Sequence, residues 1–312
     1  MSNNYKLNEK ILHTNNKYFK YVSHGQGPLL LLVHGWPETL YSWRKNIKAI
    51  SDLGYKVVGF NCRGYSESYT PKKVTDYAII EYIYDILDIM NYFKTEKVIL
   101  VGHDWGAPIC WNMAALYPEK VKAVVGMSVP YFGRGKISSV QLWKELYKNN
   151  FFYQNYFQEV GLAEKELEKN IKESIIKIYY WISAEGFKNN IKTSNNKESS
   201  LLEGLSYPTK PLSWLSNTDI EYLCKEFKKS GFRGPLNRYR NQHKDWVDLP
   251  ELSNLKISSP SLFIGGEYDP VRFFIKNYDS YENPGKLCSN FFGAHIIKDC
   301  GHWVQQEKPK QV

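Results

Sequence analysis

Asp104 is the middle residue of Gly102-His-Asp-Trp-Gly106, between the apolar run Val98–Val101 and a stretch, 105–117, that is apolar almost all round. A small-x-nucleophile-x-small pattern between strand and helix makes a sharp turn that presents its central side chain above a sheet, and the flanking glycines leave room for the strained backbone. A carboxylate in that position is a nucleophile at neutral pH with no proton to lose, so it can form an ester with an electrophilic carbon. Standing alone, the pentapeptide is only weakly specific, and the competing reading is a helix start with Asp104 as an ordinary N-cap.

Other loops supply what an ester mechanism needs. Leu29–Val33 runs into His34-Gly-Trp-Pro-Glu38, which falls at the same carboxyl end of a parallel sheet. The backbone N–H groups of Trp36 and Trp105 would there form an oxyanion hole. Pro260–Ile264 leads to Asp269, and Ile296-Ile-Lys-Asp-Cys-Gly301 leads to His302. A lone histidine reads as a packed or surface residue. Asp104, Asp269 and His302 together, each just past a strand end, are in the nucleophile, acid, histidine order of the α/β-hydrolase fold.

The elements that must position these residues can be read from periodicity. Leu29–Val33, Lys56–Phe60, Val98–Val101 and Val121–Gly126 are short apolar runs of the kind that parallel strands covered on both faces require. Ile79, Ile83, Ile86, Met90 and Phe93 step by three and four along one helical face, with Thr75 and Asp76 available to cap its start. Helix 105–117 is apolar all round, hence central, and Pro108 lies in its first turn, where no intrahelical bond is lost. Strand and helix in alternation specify a mostly parallel sheet with helices on both faces. From residue 134 to 247 the chain turns helical and aromatic-rich before strands return at 260–264 and 290–297. The expected organisation is an α/β core, 1–133 and 248–312, with a helical cap, 134–247, inserted.

Composition narrows the class. With 43% hydrophobic and 15% aromatic residues the chain can build a large core, and disorder is excluded. Five cysteines without a C-x-x-C pair form neither a disulfide framework nor a zinc site. The net charge of +9 raises a nucleic-acid or membrane-surface partner, but most lysines sit singly among Glu, Asn and apolar residues. The expectation is a solvated basic surface with no nucleic-acid partner. The polar start, Met1–Lys10, has no signal-peptide character and the longest purely aliphatic run is Leu29–Val33, which point to a cytoplasmic protein without a transmembrane segment.

Over about residues 20–309 the sequence resembles the epoxide hydrolases of the α/β-hydrolase superfamily, in the soluble form without an N-terminal phosphatase domain. The motifs that carry the resemblance are His34–Glu38, Gly102–Gly106, Phe151–Glu159, Gly231–Asn241 and Asp299–Trp303. It implies that Asp104 attacks an epoxide carbon while Tyr153 and Tyr239 protonate the oxygen. His302, oriented by Asp269, then activates water against the ester, with Trp36 and Trp105 as oxyanion donors. No cofactor or metal is implied, and the partners are water and a small apolar or lipid-like epoxide. Tyr156, three residues past Tyr153, competes for its role.

The sequence departs from the family pattern in places. Asn61-Cys-Arg-Gly-Tyr-Ser-Glu-Ser68 begins without the usual acid and has Ser66 where relatives have glycine, so an altered turn is expected. Arg238 stands where many relatives carry Trp, which implies a changed pocket wall. Glu267 is a rival acid beside Asp269. Ten residues follow His302, which implies that a closing C-terminal helix is missing. The alternatives are a haloalkane dehalogenase, which shares the first two motifs but needs no cap tyrosines, and a non-catalytic ligand receptor on the same fold.

Overall fold

A computed structural model describes residues 7–312. The first six residues of the polar start read above lie outside the described residues. Among the described residues eight strands form one sheet in the order β1-β2-β4-β3-β5-β6-β7-β8. The strands are β1 Lys10–Thr14, β2 Lys17–His24, β3 Leu29–Val33, β4 Lys56–Phe60, β5 Val98–His103, β6 Val121–Met127, β7 Ser261–Gly266 and β8 Phe291–Ile297. From β4 to β8 neighbouring strands pair in parallel, as the continuous apolar runs require. In β3, Leu29, Leu31 and Val33 join the core on one face while Leu30 and Leu32 join the core on the other.

β1 and β2 are antiparallel additions at the sheet edge that the sequence reading did not identify. Asn15 and Asn16 connect them, both with positive φ, as a two-residue hairpin turn demands. Around the sheet lie α1 Ile47–Ser51, α2 Ile79–Tyr92 and α3 Gly106–Leu116. Between β6 and β7 the chain is helical: α4 Ser139–Leu146, α5 Tyr153–Tyr156, α6 Leu162–Lys169, α7 Ile171–Trp181, α8 Ala184–Lys188, α9 Asn217–Ser230, α10 Arg233–Arg240 and α11 Gln242–Asp248. One turn, α12 Val304–Glu307, follows His302. No helix among the described residues is long and apolar enough to cross a membrane.

The start of α2 corrects the sequence reading. Thr75 and Asp76 lie in a preceding 3-10 turn, Val74–Tyr77, and make no side-chain cap to α2. The Ile79 N–H donates instead to Asp245 Oδ1 at 2.7 Å, from α11. Asp245 also pairs with the buried Arg238 guanidinium. Arg238 does not form a pocket wall; it packs behind Trp105, 4.9 Å from the ring centroid, and burial lowers its pKa to about 10. Asp245→Ala would uncap α2 and leave a buried cation unpaired, and is expected to destabilise the fold by about 3 kcal/mol, read as a lowered denaturation midpoint.

The Asn61–Ser68 turn follows β4. Ser66 takes φ +51°, the left-handed backbone that glycine adopts without strain. Its hydroxyl donates to Glu226 of α9, which in turn pairs with the buried Lys20 of β2 at 2.8 Å. Arg63 is held bidentate by Asp85 of α2, both bonds 2.6 Å.

Candidate active site

Asp104 occupies the turn between β5 and α3 with φ +50°, a strained conformation for a residue with a Cβ. The turn is possible only with its glycines: a Cβ on Gly102 would lie 2.1 Å from the Gly106 carbonyl oxygen. Gly35 is required for the same kind of reason, since a Cβ there would meet the Asp104 carboxylate at 2.3 Å. That close approach brings the Trp36 N–H to Asp104 Oδ1 at 2.6 Å. The Trp105 N–H makes no bond to the carboxylate; Trp105 is the N-cap of α3.

His302 is buried between two carboxylates. Its Nδ1 lies 2.9 Å from Asp269 Oδ2, and its Nε2 lies 3.4 Å from Asp104 Oδ2 with no tighter hydrogen bond. Burial opposes an imidazolium here, but Asp269 and Asp104 outweigh it and hold the His302 pKa up to about 10. Asp269 is fully buried and takes two further bonds, from the Val271 N–H at 2.9 Å and the Tyr281 hydroxyl at 2.6 Å. Glu267, the rival acid, points elsewhere and accepts from the Asp299 N–H at 3.0 Å.

A cavity of about 200 Å³ covers Asp104, and both Tyr153 and Tyr239 line it. Tyr239 of α10 is wedged edge-on against Trp36, Trp105 and Phe157. Tyr153 of α5 stands 6.0 Å away, ring centre to ring centre. Burial, reinforced by the Asp104 charge, pushes both phenols well above their usual range, so both keep their protons. Tyr156 does not line this cavity; burial and the neighbouring Glu166 charge raise its pKa.

Several supporting residues escaped the sequence reading. Tyr281 divides its hydroxyl between Asp269 and the Ser128 carbonyl, and no local signal marks it. Beneath His302, His103 places Nδ1 2.8 Å from Glu38 Oε2 and Nε2 2.8 Å from the His302 carbonyl. Glu38 Oε2 also accepts from the Gly35 N–H at 3.1 Å, which ties the Trp36 loop to the His302 loop. Both residues lie inside quoted motifs, so their positions were a usable signal.

The His302 loop is also bonded to the helical segment. The His302 N–H donates to the Ile182 carbonyl at 2.9 Å, and the Trp303 indole N–H donates to the Tyr179 carbonyl at 2.9 Å. Glu307 accepts from the N–H groups of Gly301, Trp303 and Ala184, each at 3.1 Å. Among the described residues no cluster of His, Cys, Asp or Glu is disposed to hold a metal ion. A carboxylate aimed into an apolar cavity, proton donors facing it and an imidazole behind it can open a strained ring and then hydrolyse the resulting ester.

Comparison with known proteins is consistent with that chemistry. The α/β hydrolase fold family profile matches residues 28–309. Epoxide hydrolase B of Mycobacterium tuberculosis is 32% identical over 92% of this chain and 89% of its own length. The bifunctional epoxide hydrolase 2 of Sus scrofa is 36% identical over 94% of this chain, which spans 51% of that longer protein. The crystal structure of epoxide hydrolase A from Mycobacterium thermoresistibile superposes with a TM-score of 0.91 at 32% identity, covering 98% of this chain and 95% of its own.

Proposed function

Since the chain belongs to the epoxide hydrolases of the α/β-hydrolase fold, we propose that it converts epoxides to vicinal diols through an ester on Asp104. The observation that carries this reading is the placement of Tyr153 and Tyr239 in the wall of the cavity that holds the Asp104 carboxylate. A haloalkane substrate would give two phenols facing the nucleophile nothing to protonate. The helical segment 134–247 serves as the lid that brings them there.

Trp36 holds Oδ1, leaving Oδ2 to attack an epoxide carbon. That C–O bond forms as the ring C–O bond breaks, and the departing oxygen takes a proton from a tyrosine. Phenols suit this because they hold the proton until alkoxide character develops. Esterification also removes one of the two negative charges that sustain the His302 imidazolium. The imidazolium then surrenders its proton, which restores the tyrosine, and Nε2 becomes a base. Water attacks the ester carbonyl, giving one proton to His302 and the other to the diol oxygen, while Trp36 and Trp105 stabilise the oxyanion. Asp104 and the imidazolium are regenerated.

The route fixes where the oxygens go. In a single turnover in ¹⁸O-water with enzyme in excess, the diol should contain no label and Asp104 should gain one heavy oxygen. Label in the first-turnover diol would mean direct attack by water and would sink the ester. Tyr281→Phe removes a bond to the acid behind the base. It is expected to slow ester hydrolysis about tenfold and leave ester formation at its former rate, which rapid-quench mass spectrometry resolves.

A further inference from the structure

We infer that Gln154 is a positioning residue for Tyr153: its amide N–H, aimed by a hydrogen-bonded chain through Gln242 and Ser139, holds the phenol oxygen so that the phenol proton is free for the epoxide. The inference rests on the epoxide reading above. Most of the wall of the cavity over Asp104 is apolar or aromatic, yet Ser139, Gln154 and Gln242 share it with Tyr153. They come from three helices, α4, α5 and α11. Gln154 Nε2 donates to the Tyr153 hydroxyl oxygen at 3.0 Å, Gln242 Nε2 donates to Gln154 Oε1 at 2.8 Å, and the Ser139 hydroxyl donates to Gln242 Oε1 at 2.8 Å.

The direction of this chain decides what Tyr153 can do. A phenol has one proton to give. Because Gln154 donates to the phenol oxygen, the Tyr153 O–H is spared, and it donates to no acceptor among the described residues. A chain running the other way would tie that proton to Gln154 Oε1 and leave no acid. Gln242 opposes the reversal, since its N–H already occupies Gln154 Oε1 and its own carbonyl is held by Ser139. As the ring C–O bond breaks, the proton passes to the epoxide oxygen and negative charge passes to the phenol oxygen. Burial and the Asp104 charge oppose a phenolate here, and the Gln154 bond works against them. A hydrogen bond to a charged oxygen is stronger than one to a neutral oxygen, so this bond tightens toward the transition state and acts on rate more than on binding.

Alkylation of Asp104 by styrene oxide in the His302→Gln protein, followed by intact mass, tests the assignment. Gln154→Leu should slow the limiting rate of adduct formation about tenfold without raising the half-saturating epoxide concentration. Gln154→Glu, whose carboxylate only accepts, should slow it further by taking the Tyr153 proton. A packing role gives the opposite order, because Glu has the shape of Gln. Acting through Tyr153, Gln154→Leu should add nothing once Tyr153→Phe has removed the phenol and Tyr239 alone donates. Slowing that persists in the Tyr153→Phe protein, or a Gln154→Leu protein of unchanged melting temperature that alkylates at the parent rate, would overturn the assignment and leave the ester route standing. A His302→Gln parent that gains no adduct would refute the ester route itself.

Discussion

With His302 replaced by Gln, the protein is expected to consume one equivalent of epoxide and then stop, leaving the substrate's full mass on the peptide that bears Asp104. In the proposed route, ester formation needs the carboxylate and the two phenols, all still in place; ester cleavage needs a base, which is gone. General-base catalysis of this kind is worth about a hundred- to ten-thousandfold, and turnover should fall accordingly. The neighbouring imidazoles cannot substitute. His103 has both nitrogens occupied, by Glu38 and by the His302 carbonyl. His34 is fully committed between the Gly35 carbonyl and the Cys62 N–H, and burial lowers its pKa to about 4. Acidification of the unaltered protein should reproduce the block in milder form, because a protonated His302 cannot accept from water. Intact-mass and peptide spectra check both; a variant that turns over freely, or an adduct on another residue, removes His302 from its role.

Replacing Tyr153 and Tyr239 together by Phe should abolish the first step rather than the second. Without a donor, the opening epoxide would leave a bare alkoxide in an apolar cavity, which is costly in the absence of a hydrogen bond. Loss of both acids should slow alkylation about ten-thousandfold, and either single change by less, since one phenol remains to donate. In the His302→Gln background the double variant should accumulate no adduct. Tyr156→Phe serves as the control and should alkylate at the ordinary rate, since that phenol does not line the cavity over Asp104. Rapid alkylation by the double variant would dismiss both tyrosines.

What could be read from the chain was what local geometry dictates. Asp104 was legible because only Gly102 and Gly106 permit its turn, and five of the six parallel strands because burial on both faces leaves a largely apolar run. The edge hairpin was not, since polar residues such as Lys10, Lys17 and Ser23 interrupt its apolar pattern. Long-range partners were invisible for a different reason. Thr75 and Asp76 had the right chemistry to cap α2, but Asp245 arrives from a helix 166 positions along the chain. Tyr281 has no motif at all; its place behind Asp269 is set by the path of a coil. Tyr153 and Tyr156 are separable only once α5 is seen to be a single turn, with the first tyrosine at the cavity and the second beside Glu166.

The bonds from Ile182, Tyr179 and Ala184 to the loop around His302 bear on how such enzymes can be recombined. Exchange of the helical segment between related proteins is an obvious route to new substrate ranges, with crossover points in the connections to β6 and β7. Here that transplant would also replace the carbonyls bonded to His302 and Trp303, and with them the seat of the proposed base. A chimera should keep its base in register only if the donor reproduces the hydrogen-bonding frame of residues 179–184, or if that stretch is retained from the recipient.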